Sequence, residues 1–163
     1  MGCLTQENLA CCQFLPAQNR KLLIIHLQQL ILTLGVASYN NKEITLADIP
    51  GLIEGAHEGI GLGDKFLRHI ERCKNILHLI DITNDNLIEN YSKVRKELSK
   101  YSNKLTKKKE IVVFNKIDVA SDDEINEKVN IFSKKIKKKI YKISALKHKG
   151  IIDVKRALVR YVH

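Results

Sequence analysis

The chain has 163 residues, 44% of them apolar, and a net charge of +10 from 28 Lys and Arg against 18 Asp and Glu. That length suits one domain with its own core, and the apolar fraction excludes disorder. Cys3, Cys11, Cys12 and Cys73 show no Cys-x-x-Cys spacing, so neither a metal site nor a disulfide is expected. The apolar stretch 22–36 is too short for a bilayer and is broken by His26, Gln28 and Gln29, and no secretory signal or myristoylation hydroxyl marks the start. A cytoplasmic protein is expected, a monomer with no DNA and no membrane among its partners.

Residues 1–29 show no clear period. Strands are predicted over 35–39 and 42–49, joined by Asn40-Asn41, a pair that tolerates positive φ and suits a hairpin. A glycine-rich loop follows, then a helix in which Phe66, Leu67 and Ile70 share a face and which ends at Cys73, expected to be a buried reduced thiol. Next come a strand over 76–82, a helix over 86–100, a strand over 111–114 and a helix over 122–135. Asp122, Asp123 and Glu124 open that last helix and complement its dipole, a structural role. A strand over 140–143 and a terminal helix after Gly150 complete a three-layer α/β sandwich.

Three motifs stand where a strand hands over to a loop, the edge on which open α/β sheets bind ligands. The first is the run Asp48-Ile49-Pro50-Gly51-Leu52-Ile53-Glu54-Gly55-Ala56, where a carboxylate ending a buried strand can hold a Mg²⁺ water and Gly51 lets a backbone N–H approach a terminal phosphate. The second is Asn115-Lys116-Ile117-Asp118. Guanine offers two donors, at N1 and N2, that an ionised Asp118 can accept side by side; Asn115 can reach N7 or O6, and the Lys116 stem can lie over the base. The third is Ser144-Ala145-Leu146, where the Ala145 N–H can complete recognition of O6.

These motifs, in this order, resemble the G domain of an Obg-type GTPase, most closely over 48–73. The resemblance implies a P-loop NTPase fold of the Ras-like kind, with residues 30–163 as the G domain, 48–73 as the second switch, and 115–118 and 144–146 as guanine-specificity loops. It implies GTP or GDP with Mg²⁺ as ligands, nucleotide contacts from Asp48, Pro50, Gly51, Asn115, Lys116, Asp118, Ser144, Ala145 and Leu146, and GTP hydrolysis linked to assembly of the large ribosomal subunit. Leu52 stands where Ras-like enzymes carry a water-orienting Gln. Leucine has no donor or acceptor, so slow hydrolysis is expected.

The departure lies upstream. A P-loop, Gly-x-x-x-x-Gly-Lys-Ser/Thr, should close the first strand, yet residues 1–29 contain the single glycine Gly2 and the basic residues Arg20 and Lys21. Gln28 and Gln29 stand where the first-switch Thr is expected. Read from the third base of each codon, permitted codons over residues 3–29 can spell Pro-Asn-Ala-Gly-Lys-Ser-Ser-Leu-Leu and later Ala-Asp-Tyr-Pro-Phe-Thr-Thr, the missing P-loop and first switch. Residues 1–29 are therefore read as an aberrant segment between compensating frameshifts, the second between Gln29 and Leu30. Its replaced strand is expected to leave the central sheet short of a member.

Two dense basic runs remain, Lys104, Lys107, Lys108, Lys109 and Lys134, Lys135, Lys137, Lys138, Lys139. They suit the phosphate backbone of ribosomal RNA, or form a solvated helix face. Three readings stand side by side: a GTPase of the Obg type, a non-catalytic G-domain remnant binding guanine nucleotide or ribosomal RNA weakly, and a non-functional translation product of a decayed gene.

Overall fold

The computed structural model describes residues 8–13, 24–27, 30–48 and 71–162. Its sheet is built from β1 (Asn8–Gln13), β2 (Ile24–Leu27), β3 (Leu30–Tyr39), β4 (Lys42–Asp48), β5 (Asn75–Asp81), β6 (Lys109–Asn115) and β7 (Ile140–Lys142), in the spatial order β2-β3-β4-β1-β5-β6-β7. The helices are α1 (Leu87–Tyr101), the short α2 (Asn103–Thr106), α3 (Asp122–Ile136) and α4 (Ile151–Val162). Among the described residues from β3 onward the alternation read from the sequence is the one observed, while Phe66, Leu67 and Ile70 of the predicted helix lie outside them.

Local chemistry explains the elements. Asn40 and Asn41 both adopt positive φ, 48° and 59°, the handedness that matches the twist of the strands they join, and Tyr39 pairs directly with Lys42. Alternate residues of β6 serve opposite layers. Val112 and Phe114 pack with Ile80, Tyr91, Ile125 and Phe132 under α1 and α3, whereas Ile111 and Val113 pack with Leu77, Val154, Ala157 and Leu158 under α4. Ser121 caps α3, accepting from the Glu124 N–H at 3.3 Å, with three acidic residues in the first turn as expected.

Strands β5, β6 and β7 are parallel, and β1 fills the gap between β4 and β5, antiparallel to both. The sheet is thus not short of its central member, against expectation. Backbone N–H and C=O groups on the facing edges of β4 and β5 need partners but do not read side chains, so a strand of either direction satisfies them. The same long-range pairing sets Cys12 opposite Asn75 and Cys11 opposite Ile76. Cys73 lies beside that junction, and it is disulfide-bonded, which corrects the expected reduced thiol. Sequence spacing carried no sign of this.

A carboxylate sits inside the described part of the fold. Glu110 and His78 side chains are 0% exposed and lie 3.1 Å apart, His78 Nδ1 donating to Glu110 Oε1. Tyr91 donates to Glu110 Oε2 at 2.8 Å, and Lys138 donates to the same oxygen. A buried carboxylate is tolerated only when so surrounded. It ties α1, β5, β6 and the turn before β7 together below the site described next.

Candidate functional site

The parallel strands end at one sheet edge, and their loops are clipped to each other. After β6 the chain turns through Lys116 in the left-handed region (φ 64°, ψ 33°) and then Ile117–Val119, a 3₁₀ turn anchored by the buried Ile117. The Ile143 N–H donates to Phe114 O at 2.8 Å and the Ile117 N–H donates to Ile143 O at 3.2 Å. After β7 the fully buried Ser144 exchanges backbone bonds with Lys149, at 3.0 and 3.1 Å, closing a tight loop. Gly150 completes it at φ +74°, and a Cβ there would lie 2.1 Å from Lys142 O, so only glycine fits.

The two specificity loops meet at one bond. The Ala145 N–H donates to Asn115 Oδ1 at 3.0 Å. With its oxygen so occupied, Asn115 keeps its amide nitrogen as a donor. Leu146, 80% exposed, forms the loop tip.

Asp118 hangs below this junction. Ser144, whose Oγ accepts from the Lys147 N–H at 3.0 Å, hydrogen-bonds the Asp118 carboxyl and, against the effect of burial, holds it below its ordinary pKa. Its Oδ1 is buried and has no hydrogen-bond partner among the described residues. An ionised carboxylate can accept two donors side by side, as a paired N–H edge would present them.

Asp81, at the end of β5, was not singled out from the sequence. Lys116 Nζ lies 2.6 Å from Asp81 Oδ2, while Asp81 Oδ1 accepts from Thr83 N at 3.0 Å and from Thr83 Oγ1 at 2.7 Å. Burial raises the Asp81 pKa, but the Lys116 ammonium and the Thr83 bonds outweigh it and hold the carboxyl below its usual value. A signal existed: Asp81 ends a buried strand, as Asp48 does, and that strand neighbours the one carrying Asn115.

Asp48 ends β4 and is exposed. Strand order puts it three strands from Asn115, about 14 Å across the sheet at roughly 4.8 Å per step. No group of three His, Cys, Asp or Glu side chains that could hold a metal occurs among the described residues. A lone carboxylate at a strand end fits a Mg²⁺ that takes its remaining ligands from phosphates and water. Pro50, Gly51 and Leu52 lie outside the described residues, as does most of the second switch.

Residues 29–116 match the family model described as "50S ribosome-binding GTPase". The chain belongs to that GTPase family. Its α/β sheet with helices on both faces is the Ras-like G-domain fold that the resemblance implied. The Obg likeness is likewise borne out. The chain is 54% identical over 129 residues to the GTPase Obg of Pelagibacter ubique (strain HTCC1062), 79% of this chain and 39% of that one. To the GTPase Obg of Ehrlichia canis (strain Jake) it is 51% identical over 130 residues, 80% and 38% of the two chains. For Rickettsia massiliae (strain Mtu5) the figures are 45% over 138 residues, 85% and 42%. The chain spans about two fifths of the length of these curated relatives. No helix among the described residues is long and apolar enough to cross a membrane.

Proposed function

We propose that this family member keeps the base-recognising half of a guanine-nucleotide site and lacks the phosphate-gripping half. The observation that carries the reading is the bond from the Ala145 N–H to Asn115 Oδ1, which joins the loop of Asp118 to that of Ser144, with Ser144 holding the Asp118 carboxyl ionised. Two guanine N–H groups would satisfy Asp118, and adenine has no matching pair there. Asn115, Lys116, Ser144, Ala145 and Leu146 frame the base, and Asp48, Pro50 and Gly51 would face the phosphates, with Mg²⁺ held through water on Asp48.

By family the reaction is GTP hydrolysis to GDP and phosphate, serving large-subunit assembly in the cytoplasm with ribosomal RNA as a contact of the lysine-rich surface. In this chain that reaction is absent or very slow. No Gly-x-x-x-x-Gly-Lys-Ser/Thr occurs in the sequence to supply backbone donors and a lysine to the phosphates, and Leu52 cannot orient water. That absence favours the second reading, a weak guanine binder without turnover, over an active GTPase.

Titration calorimetry of the chain with GDP and Mg²⁺, with ADP as control, tests this. Weak, guanine-selective binding is expected, with Kd well above about 1 μM. Micromolar or tighter binding, on the order of −8 kcal/mol, would mean that another segment grips the phosphates and would restore the active GTPase. Equal binding of ADP, or none by a chain folded by circular dichroism, would remove the guanine pocket.

A further inference from the structure

The two lysine runs do not survive folding as two patches. Lys104 pairs with Glu71 at 3.2 Å, Lys108 donates to Glu71 O at 2.8 Å and to Cys73 O, and Lys138 is spent on Glu110. From each run the fold instead takes one lysine to an aromatic ring. Lys109 Nζ lies 5.2 Å from the centre of the Tyr161 ring, and Lys139 Nζ lies 5.0 Å from that of Tyr141.

Both pairs stand on the α4 side of the sheet. Lys109 shares a face of β6 with Ile111 and Val113, and the register sets Val113 beside Tyr141 on β7, the outermost strand of its edge. Helix α4 packs on that face through Val154, Ala157 and Leu158. Between β7 and α4 runs a groove of about 300 Å³, lined among others by Lys139, Tyr141, Lys142, Asp153, Arg156 and Arg160. Its one acid, Asp153, faces Arg156 Nη1 at 3.5 Å, so the lining keeps a clear positive excess. Burial and then the nearby Tyr161 push the Tyr141 phenol above its ordinary pKa, so it stays neutral. Tyr161 is 44% exposed and offers ring surface to solvent.

We propose that this groove, together with the Lys109–Tyr161 pair next to Arg160 on α4, binds single-stranded RNA, with phosphates on Lys139 and Arg160 in the groove and on Lys109 beyond it, and an unpaired base on Tyr161. Cations interleaved with accessible rings are what a splayed strand needs, since every base has a stacking face and every linkage a charge. A duplex hides its base faces and gains only the charge. The assignment rests on the RNA part of the proposed function and narrows it to one groove.

Fluorescence anisotropy of the full chain with a labelled oligouridylate dodecamer tests it. The double variant Lys139→Ala/Arg160→Ala should lose about tenfold or more in affinity and flatten the salt dependence by roughly one to two phosphate contacts. Tyr161→Ala should lose about tenfold and Tyr161→Phe almost nothing, because the ring face matters and the hydroxyl does not. The control Lys134→Ala/Lys135→Ala, on α3, should bind nearly as the parent does. If only the control loses binding, the groove assignment fails while RNA binding stands. Equal binding of a hairpin duplex also overturns the groove assignment, and no RNA binding by the parent chain overturns both.

Discussion

The Lys116 ammonium reaches 2.6 Å from Asp81 Oδ2, across the ends of two parallel strands whose register sets Asp81 beside Asn115. The contact holds the left-handed Lys116 in a defined direction, and the Asp81 partner raises the pKa of Lys116 above its ordinary value. A lysine stem aimed this way can cover a base plane. Asp81→Asn should therefore weaken GDP binding by roughly tenfold, the loss of a charge-assisted bond that orients a binding group, with the circular dichroism spectrum unchanged. Calorimetry of variant and parent side by side measures it; equal affinities would make the pair a surface contact only.

Asp118→Asn should move base preference from guanine toward xanthine nucleotides. An amide donates where the carboxylate accepted, and the xanthine edge carries a carbonyl where guanine carries its amino group. The observable is the ratio of GDP to XDP affinity. An unchanged ratio would take Asp118 out of the pocket.

Glu110 makes acid stability testable. Burial alone would push its carboxyl up, but the bonds from His78 and Lys138 outweigh it and bring the pKa from 4.5 to about 2. A depressed folded pKa stabilises above the unfolded value and loses that contribution as pH falls. Parent stability should thus decline between pH 4.5 and about 2, and urea titrations of Glu110→Gln should show that part of the profile flattened. At neutral pH the same variant should be less stable by roughly 1–2 kcal/mol, because the buried His78 and the Tyr91 hydroxyl lose a charged acceptor while Lys138, 36% exposed, can turn to water.

Gly150→Ala should cost on the order of 3 kcal/mol. The new Cβ would sit 2.1 Å from Lys142 O at a φ of +74°, so both the backbone and β7 must shift. A thermal melt reads the stability. GDP affinity should fall with it, since Ser144 and Ala145 are positioned by the same loop.

The coding DNA over residues 3–29 should read Gly-Lys-Ser from the third base of each codon. Codons that cannot spell those residues would remove the frameshift reading. A chain rebuilt with the shifted frame should bind GDP with Mg²⁺ at micromolar Kd or better, on the order of −8 kcal/mol, where the present chain does not.

From β3 onward the architecture was legible because each element announces its period. Ile111, Val112, Val113 and Phe114 form an unbroken apolar run, which is how a strand covered on both faces reads, and Asn40-Asn41 can do little but turn. Asn115, Asp118, Ser144 and Ala145 were legible as motif residues beside strand ends. Their division of labour was not: the bond from Ala145 to Asn115 and the unsatisfied Asp118 Oδ1 depend on two loops 26 residues apart in sequence, from Asp118 to Ser144, meeting in space.

The sequence by itself determined the element order, the sheet-edge location of the site and its family, since local period and short motifs need no partner to be read. Tertiary structure alone decided that β1 completes the sheet antiparallel, that Cys73 is disulfide-bonded, and that Asp81 belongs with Lys116. It also sent Lys138 inward to Glu110 and the adjacent Lys139 outward to Tyr141. Neighbouring lysines are alike in composition, and only the packing of the turn between α3 and β7 against the rest of the fold gives one a buried carboxylate and the other an open groove.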